Sequence, residues 1–90
     1  MKLCKLNKIT IYINQTCGFC HAAKSLLEKK GIGYDEIDIS SDLEVREAMM
    51  RKSNGMRTVP QIFLNNKHVG GFSELYTLHQ SGELEKLLKD

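Results

Sequence analysis

Two cysteines, Cys17 and Cys20, stand between a stretch typical of a β-strand and a stretch typical of an α-helix. Residues 8–13 form an alternating run rich in β-branched side chains, which predicts a strand. Residues 18–30 carry apolar side chains at helical spacing, and Gly31 follows them as a residue that commonly ends helices. The cysteine pair therefore occupies a strand-to-helix turn, with Cys17 near the N-cap of the helix.

The position of Cys17 at a helix start has a chemical consequence. The backbone N–H groups of Phe19 and Cys20 lack partners within the helix, and the helix dipole adds partial positive charge at the same end. Both effects favour the thiolate form of a cysteine, which is its nucleophilic form. The sequence thus predicts a reactive thiol at Cys17.

A structural zinc site is the other interpretation of such a cysteine pair. Zinc usually takes four ligands, and the remaining candidates are Cys4, His21, His68 and His79, without a second paired spacing. Redox chemistry is therefore favoured, and no metal site is expected in the monomer. Cys4 stands alone near the N-terminus and is expected to be dispensable.

The chain continues to alternate between strands and helices. A second strand is predicted over residues 33–39, and a right-handed crossover makes it parallel to the first. Ser41 and Glu44 form a capping-box sequence, so a second helix is predicted from there to about residue 53. A hairpin is predicted from residues 61–64 and 67–69, with Asn65 and Asn66 in its turn.

The last predicted element is a split helix. Ser73 is expected to cap its first part, which runs through about residue 80. Residues 83–89 form the second part, with Leu84, Leu87 and Leu88 facing inward. The predicted fold class is therefore α/β, in the order β-α-β-α-β-β-α, with a four-stranded mixed sheet flanked by helices. A single domain is expected over residues 1–90, with residues 1–7 as a short lead-in.

Composition excludes several classes of function. The net charge is +2 and the lysines are scattered, so no nucleic-acid surface is expected. No apolar run approaches the length of a membrane span. The first eight residues lack the apolar core of a signal peptide, and three cysteines in an unexported chain favour redox chemistry over a disulfide framework. We therefore expect a cytoplasmic protein without nucleic-acid or membrane partners.

Two further motifs accompany Cys17-Gly18-Phe19-Cys20. Thr58-Val59-Pro60 precedes the third predicted strand, and Gly70-Gly71 follows the hairpin. With these motifs in this order and at these intervals, the chain resembles the glutaredoxins over about residues 8–88. It resembles the dithiol type, with C-G-F-C in place of the family's common C-P-Y-C. The resemblance implies the thioredoxin fold, in agreement with the element order above.

The resemblance also implies a role for each matching residue. Cys17 resembles the nucleophile that takes the glutathione sulfur, Cys20 the resolving thiol, and Pro60 the cis-proline beside them. Eight residues stand where similar proteins contact glutathione: Phe19, Arg57, Thr58, Val59, Pro60, Gly71, Phe72 and Ser73. Asn14 stands where many relatives carry a lysine, and Arg57 is expected to replace part of that charge.

The implied function is that of a glutathione-dependent thiol–disulfide oxidoreductase, with glutathione as co-substrate. Such a monomer reduces protein disulfides and protein–glutathione mixed disulfides through Cys17 and Cys20, in electron transfer and cell redox homeostasis. The alternative is a glutathione-ligated [2Fe–2S] cluster carrier, in which Cys17 from each of two chains binds a cluster shared by a homodimer. Gly18 supports this alternative, because relatives with a small residue in place of the active-site proline tend to bind clusters.

Overall fold

The computed structural model of the protein describes residues 8–40, 42–65 and 67–89. In chain order they form strand β1 (Ile9–Ile13), helix α1 (Gly18–Lys29), strand β2 (Tyr34–Asp38), helix α2 (Leu43–Lys52), strand β3 (Gln61–Leu64), strand β4 (Lys67–Gly70), helix α3 (Phe72–Ser81) and helix α4 (Glu83–Lys89). Four predictions lie outside this description, namely those on Cys4 in the lead-in, Ser41, Asn66 and the side chain of Leu88.

The four strands form one mixed sheet in the order β2-β1-β3-β4. β1 runs parallel to β2 and antiparallel to β3, while β3 and β4 form an antiparallel hairpin. The turn residue Asn65 has a φ of 52°, a conformation that asparagine tolerates well. The predicted α/β fold with a four-stranded mixed sheet is confirmed, and β1 and β3 are its inner strands.

One face of the sheet packs against α1, α3 and α4. Alternate residues of β1 point to this face, where Ile11 lies in a core cluster with Leu27 of α1, Leu75 of α3 and Leu84 of α4. All four side chains are at most 1% exposed. This cluster forms the larger part of the core and fixes α1 and α3 against the same side of the sheet.

The other face packs against α2. Here Tyr12, Ile39, Met49 and Phe63 form a second cluster, in which the rings of Tyr12 and Phe63 meet edge to face with centroids 5.6 Å apart. Met49 is the fully buried residue of α2, whereas Leu43 at its start is 71% exposed. The apolar face of α2 is therefore narrow.

Strand pairing brings distant parts of the chain to one end of the sheet. Tyr12 near the end of β1 pairs with Gln61 at the start of β3, and Ile62 pairs with Gly70 at the end of β4. The start of α1, the loop before β3 and the start of α3 consequently meet at this end. That meeting point is the site described below.

The helix starts differ in detail from the predictions. Asp42 is the N-cap of α2, and its Oδ1 accepts hydrogen bonds from the backbone N–H groups of Glu44 and Val45 at 3.0 and 3.4 Å. Gly71 is the N-cap of α3, so the prediction that Ser73 caps this helix is wrong. Ser73 lies instead in the first turn, because the helix begins at the residue directly after Gly71.

The final helix confirms one inward residue and corrects another. Leu84 is 1% exposed, as predicted, but Leu87 is 42% exposed, so its predicted inward position is wrong. No helix within the described residues is long and apolar enough to cross a membrane.

Candidate active site

Cys17 is the N-cap residue of α1, as predicted. Its Sγ accepts a hydrogen bond from the backbone N–H of Cys20 at 3.3 Å. Asn14 holds the preceding turn, since its side-chain Oδ1 accepts from the N–H of Thr16 at 3.0 Å and its carbonyl accepts from the N–H of Cys17 at 3.1 Å. A lysine at position 14 could not supply that side-chain acceptor. Negative charge on Cys17 Sγ is stabilised by the Cys20 N–H and by the helix dipole.

The two cysteines have unequal surroundings. Both are free thiols, but Cys17 is partly exposed whereas Cys20 is 1% exposed. Burial, and then the hydrogen bond with Cys17, raises the pKa of Cys20 to about 12. Cys20 therefore keeps its proton at neutral pH. This asymmetry favours Cys17 as the attacking thiolate and Cys20 as its proton-bearing neighbour.

The loop between α2 and β3 brings the second motif to Cys17. The Val59–Pro60 peptide bond is cis, as the resemblance implied. The Sγ–H of Cys17 donates to the carbonyl oxygen of Val59 at 3.4 Å, although the two residues are 42 positions apart in the chain. The reactive sulfur thus lies directly beside the backbone of this loop.

A groove of about 340 Å³ opens next to this contact, within the size range of small-molecule sites. Its lining includes seven of the eight residues predicted to contact glutathione, namely Phe19, Thr58, Val59, Pro60, Gly71, Phe72 and Ser73. Arg57 is exposed and is not part of the lining. Met56, Gln61 and Glu74 also line the groove, and the sequence assigned none of them a role in the site.

The start of α3 forms one wall of the groove. Oε1 of Glu74 accepts a hydrogen bond from the backbone N–H of Gly71 at 2.8 Å, which secures the first turn. A glutamate three residues after the N-cap is a recognised helix-start signal, and it could have indicated this bond from the sequence. The remaining unpaired N–H groups of the first turn give this wall partial positive charge.

A row of aromatic rings begins in the lining of the groove with Phe19 and Phe72 and continues outside it to Tyr76. Ring centroids lie 6.0 Å apart between Phe19 and Phe72, and 5.8 Å apart between Phe72 and Tyr76. Phe19 is 66% exposed and Tyr76 is 43% exposed. Exposed aromatic side chains are enriched in surfaces that contact protein partners, so this row can contact a peptide next to the reactive thiol.

The described residues do not bring three or more His, Cys, Asp or Glu side chains together in a group that could hold a metal ion. A zinc ion at Cys17 and Cys20 would therefore need ligands from outside that part of the chain.

Comparison with known proteins agrees with this geometry. The family model described as Glutaredoxin matches residues 9–69. The chain belongs to the glutaredoxin family. It is 48% identical over 85 residues to glutaredoxin 1 of Rickettsia typhi, covering 93% of this chain and 82% of that protein. It is 44% identical over 81 residues to glutaredoxin 3 of Escherichia coli K12, covering 90% of this chain and 96% of that protein.

Solved glutaredoxin structures share the fold. The solution structure of glutaredoxin from Brucella melitensis has a TM-score of 0.80 and 43% identity, covering 91% of this chain and 88% of that one. The crystal structure of a buckwheat glutaredoxin–glutathione complex has a TM-score of 0.82 and 28% identity, covering 92% of this chain and 77% of that one. Family and fold together identify this glutaredoxin as a thiol–disulfide oxidoreductase.

Proposed function

We propose that the protein is a glutathione-dependent oxidoreductase that reduces mixed disulfides between proteins and glutathione, and protein disulfides. The proposal rests on one observation: the sulfur of Cys17 lies 3.4 Å from the carbonyl oxygen of Val59. Val59 also lines the groove. A peptide-like thiol in that groove would have its sulfur next to the nucleophile. The buckwheat relative forms a complex with glutathione, which supports glutathione as the occupant here.

Glutathione has two carboxylates and a peptide backbone, and we propose a partner for each of them in the groove or directly beside it. We propose that its peptide part pairs with the backbone of Val59 as a short β-bridge. The α-carboxylate would bind at the N-terminus of α3, where the first-turn N–H groups and Ser73 supply donors. The hydroxyl of Thr58 and the guanidinium of neighbouring Arg57 would bind the other carboxylate.

The chemistry follows from the unequal thiols. The thiolate of Cys17 attacks the glutathione sulfur of a mixed disulfide, so the protein substrate leaves as a thiolate and takes up a proton. Glutathione remains on Cys17 as a mixed disulfide. The thiolate of a second glutathione then attacks that glutathione sulfur, which releases oxidised glutathione and regenerates the Cys17 thiolate. In the net reaction the protein sulfur is reduced from a disulfide to a thiol and the second glutathione is oxidised from a thiol to a disulfide, while the first glutathione stays at the disulfide level.

Cys20 provides a second route. It can attack Cys17 in the mixed disulfide, which releases glutathione and leaves a Cys17–Cys20 disulfide that two further glutathiones reduce. Burial raises the pKa of Cys20 to about 12, so its thiolate is scarce at neutral pH. We therefore propose that glutathione resolves the mixed disulfide faster than Cys20 does.

The matched variants Cys17→Ser and Cys20→Ser test this assignment. With the mixed disulfide of glutathione and cysteamine as substrate, Cys17→Ser should abolish turnover, while Cys20→Ser should retain most of it. Equal loss in both variants would contradict the assignment of the nucleophile. The disulfide of cysteamine alone is the control substrate: if the parent protein reduces it as efficiently as the glutathione mixed disulfide, glutathione recognition is refuted.

We further propose that the protein acts as a monomer in the cytoplasm. A dithiol whose turnover needs reduced glutathione works in a compartment that keeps thiols reduced. Glutathione and protein thiols or disulfides would be its partners there. The aromatic row Phe19, Phe72 and Tyr76 would contact the protein part of the substrate.

Gly18 favours a second candidate function, that of a glutathione-ligated [2Fe–2S] carrier. A Cβ at position 18 would meet no atom within 4 Å, so the surface beside Cys17 is open to a neighbouring chain. Since the described residues do not form a group of three ligands, a cluster would use Cys17 with ligands from a second chain and from glutathione. Such a cluster would bridge a homodimer.

Anaerobic reconstitution with iron, sulfide and glutathione tests the second candidate. We expect visible absorbance and a dimeric mass on size exclusion for the parent protein. Gly18→Pro should weaken both and leave most of the disulfide reduction, because proline is well tolerated at the first position of a helix. A colourless monomer from the parent protein would refute the carrier function and leave the oxidoreductase proposal unaffected.

A further inference from the structure

The buried side-chain amide of Gln61 forms hydrogen bonds with two other residues, Thr58 and His68. Gln61 is the first residue of β3 and is 1% exposed. Its Nε2 donates to the carbonyl oxygen of Thr58 at 3.0 Å and lies 3.3 Å from the Oγ1 of Thr58. Its Oε1 lies 2.6 Å from the Nε2 of His68 on β4. A buried amide that lost these partners would be costly, so the three residues form one unit.

Hydrogen-bond chemistry defines the orientation of this unit. A backbone carbonyl only accepts, so the Nε2 of Gln61 must face Thr58. The Oε1 of Gln61 then faces His68, and because that oxygen only accepts, the Nε2 of His68 must carry a proton. The direction of donation therefore runs from His68 to Gln61 and from Gln61 to Thr58.

This unit ends at a wall of the groove. Thr58 is exposed and lines the groove, and its neighbour Val59 accepts the hydrogen bond from Cys17. A hydroxyl group has one proton and two lone pairs. The Oγ1 of Thr58 accepts a hydrogen bond from the Gln61 amide. The hydroxyl proton of Thr58 therefore remains available to donate to an acceptor in the groove.

The loop that carries Thr58 is held at both ends from the protein interior. At its start, the Oγ of Ser53, which is 0% exposed, donates to the carbonyl of Met56 at 3.2 Å. At its end, Gln61 holds the carbonyl of Thr58. Met56 and Thr58 are themselves exposed, so this part of the loop is held in place by the buried side chains of Ser53 and Gln61.

His68 completes the anchor from the outer strand. It pairs with Phe63 across the β3–β4 hairpin, and the two rings have centroids 5.1 Å apart. The ring of His68 is thus placed by the hairpin, and its Nε2–H places the Gln61 amide. A residue on the edge strand β4 is connected to the groove by two hydrogen bonds.

We propose that Gln61 and His68 are positioning residues for glutathione recognition: they fix Thr58 so that its hydroxyl and the adjoining Val59 backbone meet a bound glutathione moiety. The identity of that ligand rests on the proposed function. Neither residue touches the reacting sulfurs, so their loss should weaken binding of the glutathione moiety and leave the intrinsic reactivity of Cys17 unchanged.

The test compares Gln61→Met with two variants of His68. Gln61→Met keeps the length of the side chain and removes all three polar contacts. His68→Phe keeps a ring against Phe63 and removes the donor, whereas His68→Gln places an amide N–H near the former Nε2. For reduction of the glutathione–cysteamine mixed disulfide, we expect Gln61→Met and His68→Phe to raise KM about 3- to 10-fold, the equivalent of one net hydrogen bond. The kcat should be nearly unchanged, and His68→Gln should restore KM toward the parent value.

Two controls separate positioning from general damage to the fold. Gln80→Met makes the same substitution at an exposed glutamine of α3 and should leave KM unchanged. Leu84→Ala removes core packing in α4 and should lower stability without raising KM. A rise in KM for Leu84→Ala of the size seen for Gln61→Met would overturn the proposal, as would an unchanged KM in Gln61→Met.

A second measurement does not depend on glutathione. Backbone ¹⁵N relaxation of the ligand-free protein should show lower order parameters at Thr58 and Val59 in Gln61→Met and His68→Phe. In His68→Gln these order parameters should match those of the parent protein. Unchanged order parameters at these residues in all three variants would overturn the proposal that Gln61 and His68 position Thr58. If the parent protein shows no preference for the glutathione mixed disulfide while order falls as expected, the proposed function is refuted and the positioning of Thr58 is supported.

Discussion

Replacing Gly70 with alanine tests how the wall of the groove at α3 is built. Gly70 has a φ of 129°, which residues with a side chain rarely adopt. An added Cβ would lie 2.7 Å from the Cγ and 2.9 Å from the Cβ of Glu74. The Glu74 side chain can turn its Cγ and Oε1 away, but its Cβ is fixed to the helix, so the backbone at Gly70 or at the start of α3 must also shift. The Oε1 of Glu74 would then release the N–H of Gly71, which it now accepts at 2.8 Å.

Two contributions set the expected loss of stability. Backbone strain of this kind costs about 1–3 kcal/mol. Loss of a hydrogen bond to a charged acceptor costs about 1.5–3 kcal/mol, and we use the lower end because this bond is exposed to solvent. We therefore expect Gly70→Ala to lower the free energy of unfolding by about 2.5–4.5 kcal/mol, which for a domain of this size lowers Tm by roughly 10–35 °C.

Thermal unfolding of a double-mutant cycle separates the two contributions. In a Glu74→Ala background the collisions with Cγ and Oε1 and the hydrogen bond to Gly71 are already absent, and only the contact with the Cβ at 2.9 Å remains. Gly70→Ala should therefore cost about 1–2 kcal/mol less there than in the parent protein. Gly82→Ala is the matched control, since Gly82 has a φ of 81° and a Cβ there would meet no atom within 4 Å. It should cost about 1–2 kcal/mol from the left-handed conformation alone. Equal losses for Gly70→Ala and Gly82→Ala, or no coupling to Glu74, would refute the reasoning.

Three further predictions concern stability. Since the pKa of Cys20 is raised to about 12 in the folded protein and is about 8.5 in an unfolded chain, the thiol stabilises the fold fully below about pH 8.5, and this stabilisation is lost as pH rises toward 12. Under reducing conditions, urea unfolding should show that the free energy of unfolding of the parent protein falls by about 1 kcal/mol more than that of Cys20→Ser between pH 7.5 and 9.5. If the two proteins lose stability equally over this range, burial does not raise the pKa of Cys20 as described. Asp42→Ala removes the N-cap of α2 and should cost about 0.5–2 kcal/mol in urea unfolding at pH 7, and an unchanged midpoint would show that Asp42 does not cap this helix in solution. Met49→Ala should cost about 2–5 kcal/mol in the same assay, whereas Leu43→Ala on the same helix should change stability by less than about 0.5 kcal/mol; similar losses would mean that α2 packs through another face.

Local patterns in the sequence were sufficient to predict the order of the helices and strands and the position of Cys17 at the start of α1. The alternation in residues 9–13 and the helical spacing after Cys17 are short-range signals, because side-chain direction repeats every two residues in a strand and about every 3.6 in a helix. The N-cap position of Cys17 followed from them. Parallel pairing of β1 with β2 followed from the handedness of a crossover.

Helix ends were less well determined. Ser73 and Gly71 are both acceptable cap residues, and the choice depends on where the chain leaves β4. Leu87 fits the apolar pattern of α4, but its exposure depends on how far the neighbouring elements extend over that helix. Such details are set by tertiary contacts, which local propensities do not contain.

The tertiary structure alone decided what surrounds the reactive sulfur. The contact of Cys17 with Val59, the pKa of Cys20 and the hydrogen bonds from His68 through Gln61 to Thr58 all depend on the pairing of β3 with β1 and β4. From the sequence, Gln61 is an ordinary polar residue at a strand start, and nothing local shows that it is buried. Burial and distance are properties of the packed chain, and they determine whether an amide is solvated or anchors a binding site, because a buried polar group must find its partners within the protein.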